Sequence, residues 1–143
     1  MANTLYDNAR RLFALGEINW DTDVLHCFLV NANYTFNAAH TMLESIPTNA
    51  RDYGTTEAAG VLMPAATNTV ESNGAVNAAA VRFVTCEVGD PAVTAIVIAR
   101  INTDPTDSEL IYYADVATGL PITPNGGDII VTWSTGTNKI FRL

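Results

Sequence analysis

The stretch from Glu109 to Leu143 constrains the fold more than any other part of the chain. Three short runs rich in β-branched and aromatic residues, Glu109 to Val116, Asp128 to Trp133 and Lys139 to Leu143, are separated by clusters of Gly, Pro, Asn and Thr. That alternation is the pattern of successive strands joined by turns, and it predicts a closing strand meander. Asn125-Gly126-Gly127 supplies residues that tolerate positive φ, and Ser134 to Asn138 reads as a polar hairpin loop. The last run ends on Leu143 without a polar tail, so this end of the chain is expected to be tied into the sheet.

With 143 residues the chain is the size of one domain, enough to bury roughly 68–70% of the surface it exposes unfolded. Hydrophobic residues make up 48% and charged residues only 15%, so Asn, Thr, Ser and Ala must cover much of the surface. A surface this poor in charge suits a protein that works assembled, and it is also common in extracellular β proteins. The net charge of -8, with no cluster of Lys or Arg, argues against nucleic acid as a partner. No apolar run approaches the ~18 residues of a membrane span, and the opening residues lack a basic segment with an apolar core. The sequence therefore predicts synthesis in the cytoplasm and no membrane association.

Thr4–Leu15 reads as the one helix. Asn3 or Thr4 can cap it, Asp7 lies in its first turn, Arg10 and Arg11 lie toward its end, and Gly16 stands where a terminating glycine belongs. Leu5, Ala9, Leu12 and Phe13 share one face, so the helix is amphipathic and must dock on its own sheet or on a neighbouring subunit. From Val24 onward the pattern is strand-like. Val24 to Val30 and Ala92 to Ile101 are apolar on both faces and read as central strands. Gly60 to Pro64 reads as an edge strand, Asn73-Gly74 as a hairpin turn, and Val76 to Cys86 as one continuous strand. Pro47 to Ala59 is the most loop-like region and is long enough to extend over a partner. About seven or eight short strands with one leading helix predict a mainly β single domain, a β-sandwich or jelly-roll-like fold.

Residue chemistry points to no reaction. His26 and His40 each lack a Cys, His or carboxylate at ligand spacing, which fits hydrogen-bonded structural roles. Cys27 and Cys86 lie in apolar runs and read as free buried thiols, a disulfide between them being the alternative. Asp21 with Asp23, and Asp104 with Asp107 and Glu109, could offer oxygens to Ca²⁺ but lack the rest of a ligand loop, so solvated turn carboxylates are expected. Trp20 and Trp133 could stack on sugars, although packing is the stronger expectation for Trp133. No catalytic residue, metal or cofactor follows from the sequence.

Three segments carry a resemblance: Met1 to Phe13, Gly16 to Leu25, and the closing Ala117-Thr-Gly-Leu-Pro-Ile-Thr-Pro-Asn-Gly-Gly-Asp-Ile-Ile-Val-Thr-Trp-Ser-Thr-Gly-Thr-Asn-Lys-Ile-Phe-Arg-Leu143. Together they resemble a group of small virion structural proteins of tailed bacteriophages. Gly54 to Ala75 departs most from that pattern. The resemblance implies a virion protein, and by size and fold class a head decoration, or cement, protein on the capsid surface that clamps neighbouring major capsid subunits. A tail, neck or fibre-associated component, with glycan binding through Trp20 or tyrosines, is the alternative. Clamping needs an extended contact in place of a pocket, with the helix (Leu5, Leu12, Phe13) and the loop beyond Pro47 (Tyr53, Leu62, Met63) as candidate contacts. A homo-oligomer, dimer or trimer, would multiply weak contacts to the shell.

Overall fold

Two strands that are apolar on both faces find each other and make the centre. The computed structural model describes residues 3–143. In order its elements are β1 (Thr4–Leu5), α1 (Asp7–Ala14), β2 (Leu25–Asn31), α2 (Thr48–Arg51), β3 (Val61–Met63), β4 (Thr69–Val70), β5 (Ala75–Asn77), β6 (Val81–Phe83), β7 (Val93–Arg100), β8 (Glu109–Ala114), β9 (Ile129–Val131) and β10 (Phe141–Arg142). β2 and β7 pair antiparallel, and β8 with β1 on one side and β3 on the other complete a five-stranded sheet ordered β1-β8-β7-β2-β3. A three-stranded sheet, β10-β5-β4, and a two-stranded ladder, β6-β9, form the other layer. The protein is mainly β and sandwich-like, with its main helix near the N-terminus.

Register decides what each face meets, because side chains alternate along a strand. Cys27 opposes Ile98 and Leu29 opposes Ile96, while Ile98 opposes Tyr112, so these five side chains share one face. That face packs on the second layer: Tyr112 lies 5.1 Å from the Phe141 ring of β10, and Leu29 and Ile96 approach Ile129 and Val131 of β9. The reverse face carries Phe28, Val97 and Tyr113. Phe36 stacks on Tyr113 at 4.4 Å, and the Arg51 guanidinium sits 5.9 Å above Phe28. Connections, not a third sheet, cover that side. The buried side chains form one contiguous cluster.

The closing stretch does not form a meander. β8 joins the five-stranded sheet, β9 pairs with β6, and β10 pairs with β5. Both edges of β8 are already occupied, by β1 and β7, so the run at Ile129 cannot pair beside it. Its attachment holds nevertheless, with the Leu143 N–H donating to the Gly74 carbonyl at 3.0 Å.

The helix is shorter than its pattern. Thr4 and Leu5 form a strand opposite Tyr113 and Tyr112, and the Asn3 side chain bonds the backbone of Asp115 and Val116 in place of capping α1. Tertiary pairing overrides helix propensity there. At the other end Gly16, with φ of 72°, closes the helix as its sequence position predicts: its N–H donates to Phe13 and the Glu17 N–H to Leu12, satisfying two orphan carbonyls. Ala9 and Leu12 are buried and α1 docks on β8, its own sheet.

Residues 76–86 also divide. β5 and β6 belong to different sheets, and Ala78 to Ala80 carries the chain between them. The expected long loop from Pro47 to Ala59 folds back on β2 through α2, with Ala50, Arg51 and Tyr53 buried. Arg51 donates to the Ile46 carbonyl at 3.0 Å and also to the Ala58 carbonyl, tying both ends of that excursion to the guanidinium that sits over Phe28. Burial in turn holds its acidity above that of a solvated guanidinium.

Candidate functional site

Burial separates the six expected contact residues. Leu5, Leu12, Tyr53 and Met63 lie in the core, so their side chains offer no surface to a partner. The Tyr53 hydroxyl donates to the Pro91 carbonyl at 2.6 Å, and Met63 sits opposite Leu25. Phe13 is half-buried, its ring 6.0 Å from Phe141. Leu62, on the edge strand β3, is the one of the six that is 51% exposed.

The polar residues are mostly absorbed by structure. Nδ1 of His26 lies 2.7 Å from the Ala59 carbonyl oxygen. Nδ1 of His40 lies 2.8 Å from the Tyr34 hydroxyl, which is 3.1 Å from that of Tyr6. Cys27 and Cys86 are free and buried. Arg100 forms a two-point contact with Glu109, at 3.0 and 2.6 Å, and reaches Asp23 at 3.4 Å, so two of the turn carboxylates serve one guanidinium. Asp104 accepts hydrogen bonds from Thr106, which lower its pKa. Among the described residues no group of three or more His, Cys, Asp or Glu side chains is placed to hold a metal ion.

The tryptophans part company. Trp20 is buried, its Nε1 donating to the Asn77 carbonyl and its ring edge-on to Phe141 at 5.3 Å, so it has no face for a sugar. Trp133 is half-buried and lines a cleft of about 530 Å³ between the end of β8 and the chain beyond β9. Tyr112 and Ile96 are its apolar floor, and Thr118, Thr132, Ser134 and Thr135 bring hydroxyls to its walls. Lys139, the single lysine of the chain, stands at the rim, and no carboxylate lines the cleft. The Trp133 Nε1 donates to the Ala79 carbonyl at 3.0 Å, fixing the indole in place. Lys139 holds a left-handed backbone, φ of 51°, with its N–H bonded to Gly136 and the next N–H bonded to Val76. Sequence reading singled out Trp133 but missed the cleft. Its walls come from segments far apart in the chain, and no local spacing brings Thr118 to Lys139.

A second surface is apolar. In the β6-β9 ladder Val81, Phe83, Ile129 and Val131 face inward, leaving Arg82 and Ile130 opposite one another on the outside. Arg82 pairs with Asp128 at 3.1 Å, which cancels its charge. Val84 and Val88, in the segment that follows β6, are exposed as well. Comparison with protein-family models and with curated proteins returns no match.

Proposed function

We propose that this chain is a non-enzymatic structural protein of a tailed-phage particle, a head decoration protein that binds across neighbouring major capsid subunits. The observation that carries the reading is the exposed apolar side chains on and just after the β6-β9 ladder: Ile130 on its outer face, opposite Arg82, which pairs with Asp128, and Val84 and Val88 in the segment that follows β6. Such a face releases water on contact and presents little unpaired charge to desolvate. The resemblance of residues 117–143 to virion proteins supplies the setting, and the charge-poor surface fits a protein that works assembled.

A patch this small holds weakly alone, so the reading includes a dimer or trimer that engages several capsid subunits at once. Copy number per particle, from quantitative mass spectrometry of purified virions, tests it. A copy number in a simple ratio to the major capsid protein is expected, together with loss of head binding in Ile130→Asp. A handful of copies per particle overturns the decoration reading. That outcome favours a tail, neck or fibre component, for which the cleft beside Trp133 is the supporting observation.

A further inference from the structure

We propose that the cleft between Trp133 and Lys139 is a binding site for a carboxylate-bearing saccharide. This inference stands apart from the particle reading, since it concerns what the isolated chain binds.

The cleft brings together the features that sugar acids use. Stacking comes first: the indole of Trp133 is half-exposed and held by its bond to Ala79, so a pyranose face can lie on a ring that is already immobile. Hydroxyl recognition comes second. Thr118, Thr132 and Thr135 line the cleft and their hydroxyls make no hydrogen bond to any described residue, and the Ser134 hydroxyl accepts only the Gly136 N–H. Each is available to a polyol as donor and acceptor.

Charge selects the class. The protein carries -8 overall, a field that repels anions from most of its surface. The cleft is an exception, for Lys139 is among its lining residues and no Asp or Glu is. Lys139 forms no ion pair among the described residues, whereas Arg82 and Arg100 are both paired with carboxylates. Its backbone is fixed by the bonds at Gly136 and Val76, so the stem of the side chain starts from a defined point at the rim. A phosphate ligand fits less well, because such sites gather several N–H donors or an arginine fork, and Lys139 is the one cationic residue that lines this cleft. The volume, about 530 Å³, lies in the range of small-ligand clefts and suits a short oligosaccharide.

The test is titration calorimetry of the full chain with a galacturonate trisaccharide, with maltotriose as the neutral comparator and AMP as the phosphate comparator. Tryptophan fluorescence is followed in parallel. Binding of the galacturonate is expected, with a shift in emission that is absent in Trp133→Phe, since Trp20 is buried. Maltotriose, and the galacturonate with Lys139→Gln, are each expected to bind about tenfold more weakly, the equivalent of one charge-assisted hydrogen bond. Native circular dichroism of both variants keeps a loss of binding separate from a loss of fold. No heat with the galacturonate at millimolar concentration, equal affinity for maltotriose, tighter binding of AMP, or an unchanged Lys139→Gln each overturns the proposal.

Discussion

The rings of Tyr112 and Phe141 lie 5.1 Å apart, centroid to centroid, across the two layers of the protein. Phe141 also takes the Trp20 ring edge-on at 5.3 Å, so one side chain of β10 joins the central sheet to the connection before β2. Phe141→Ala is expected to cost about 3–5 kcal/mol, as buried aromatic truncations do, while Phe141→Leu loses much less. Urea unfolding of the two variants measures the difference. Equal losses would show that ring contact across the layers is not what matters.

Gly60 lies where the chain turns into β3, with φ of 71° and ψ of -176°, a region that is essentially restricted to glycine. An added Cβ would sit 2.7 Å from the Cys27 carbonyl oxygen and from a ring carbon of Phe28, both in the core. Gly60→Ala should therefore lose about 1–3 kcal/mol from backbone strain, with the clash in addition. The same change at Gly89, where a Cβ meets nothing within 4 Å, isolates the backbone cost. If thermal melts show equal losses at the two sites, close approach to β2 does not matter.

Arg51 should be irreplaceable by lysine. Its fork reaches two carbonyls, those of Ile46 and Ala58, that a single ammonium cannot serve in the same geometry. Arg51→Lys and Arg51→Ala are both expected to destabilise, by about 1–3 kcal/mol for each buried acceptor left unpaired. Amide exchange should quicken from residue 47 to residue 60 first. Uniform quickening over the whole chain would instead make Arg51 a global core residue.

Alkali should unfold the protein abruptly. Burial raises the pKa of all five tyrosines, Tyr6, Tyr34, Tyr53, Tyr112 and Tyr113, and of Cys27 and Cys86. Unfolded, these groups ionise near their ordinary values, about 8.5 for Cys and 10 for Tyr. Above those values the unfolded state holds fewer protons than the native one, so stability is full below about pH 8 and falls as pH rises beyond. Tyrosinate absorbance is expected to rise together with loss of circular dichroism. A gradual rise in absorbance with the fold intact would show that the phenols ionise in place.

Where one stretch carried the whole signal, the sequence was legible. Ala92 to Ile101 reads as a strand apolar on both faces, and its core from Val93 to Arg100 is the centre of the sheet, while Asn73-Gly74 turns between β4 and β5 as the dipeptide predicts. Pairing partners were not legible, because period-2 patterning says which face a residue takes and nothing about its neighbour. The run at Ile129 therefore read as the meander neighbour of the one at Glu109, although occupied edges send them to different sheets. The same gap explains Tyr53 and Met63. Each sits in a stretch that reads as polar or as an edge, and each is drawn inward by contacts remote in sequence. Trp133 stood out by residue type, whereas Lys139 acquired its place only through the fold.

The route of the chain carries a kinetic consequence. β2 pairs with β7 across residues 32–92, β6 with β9 across residues 84–128, and β5 with β10 across residues 78–140. Among the described strands β4-β5 and β7-β8 are local hairpins, but these other ladders form only after long segments are corralled and their freedom is lost. Folding from the denatured state is thus expected to be slow for a chain of this size. During that interval the apolar runs of β2 and β7 stand exposed together, which makes dilution and low temperature the conditions under which refolding outruns aggregation.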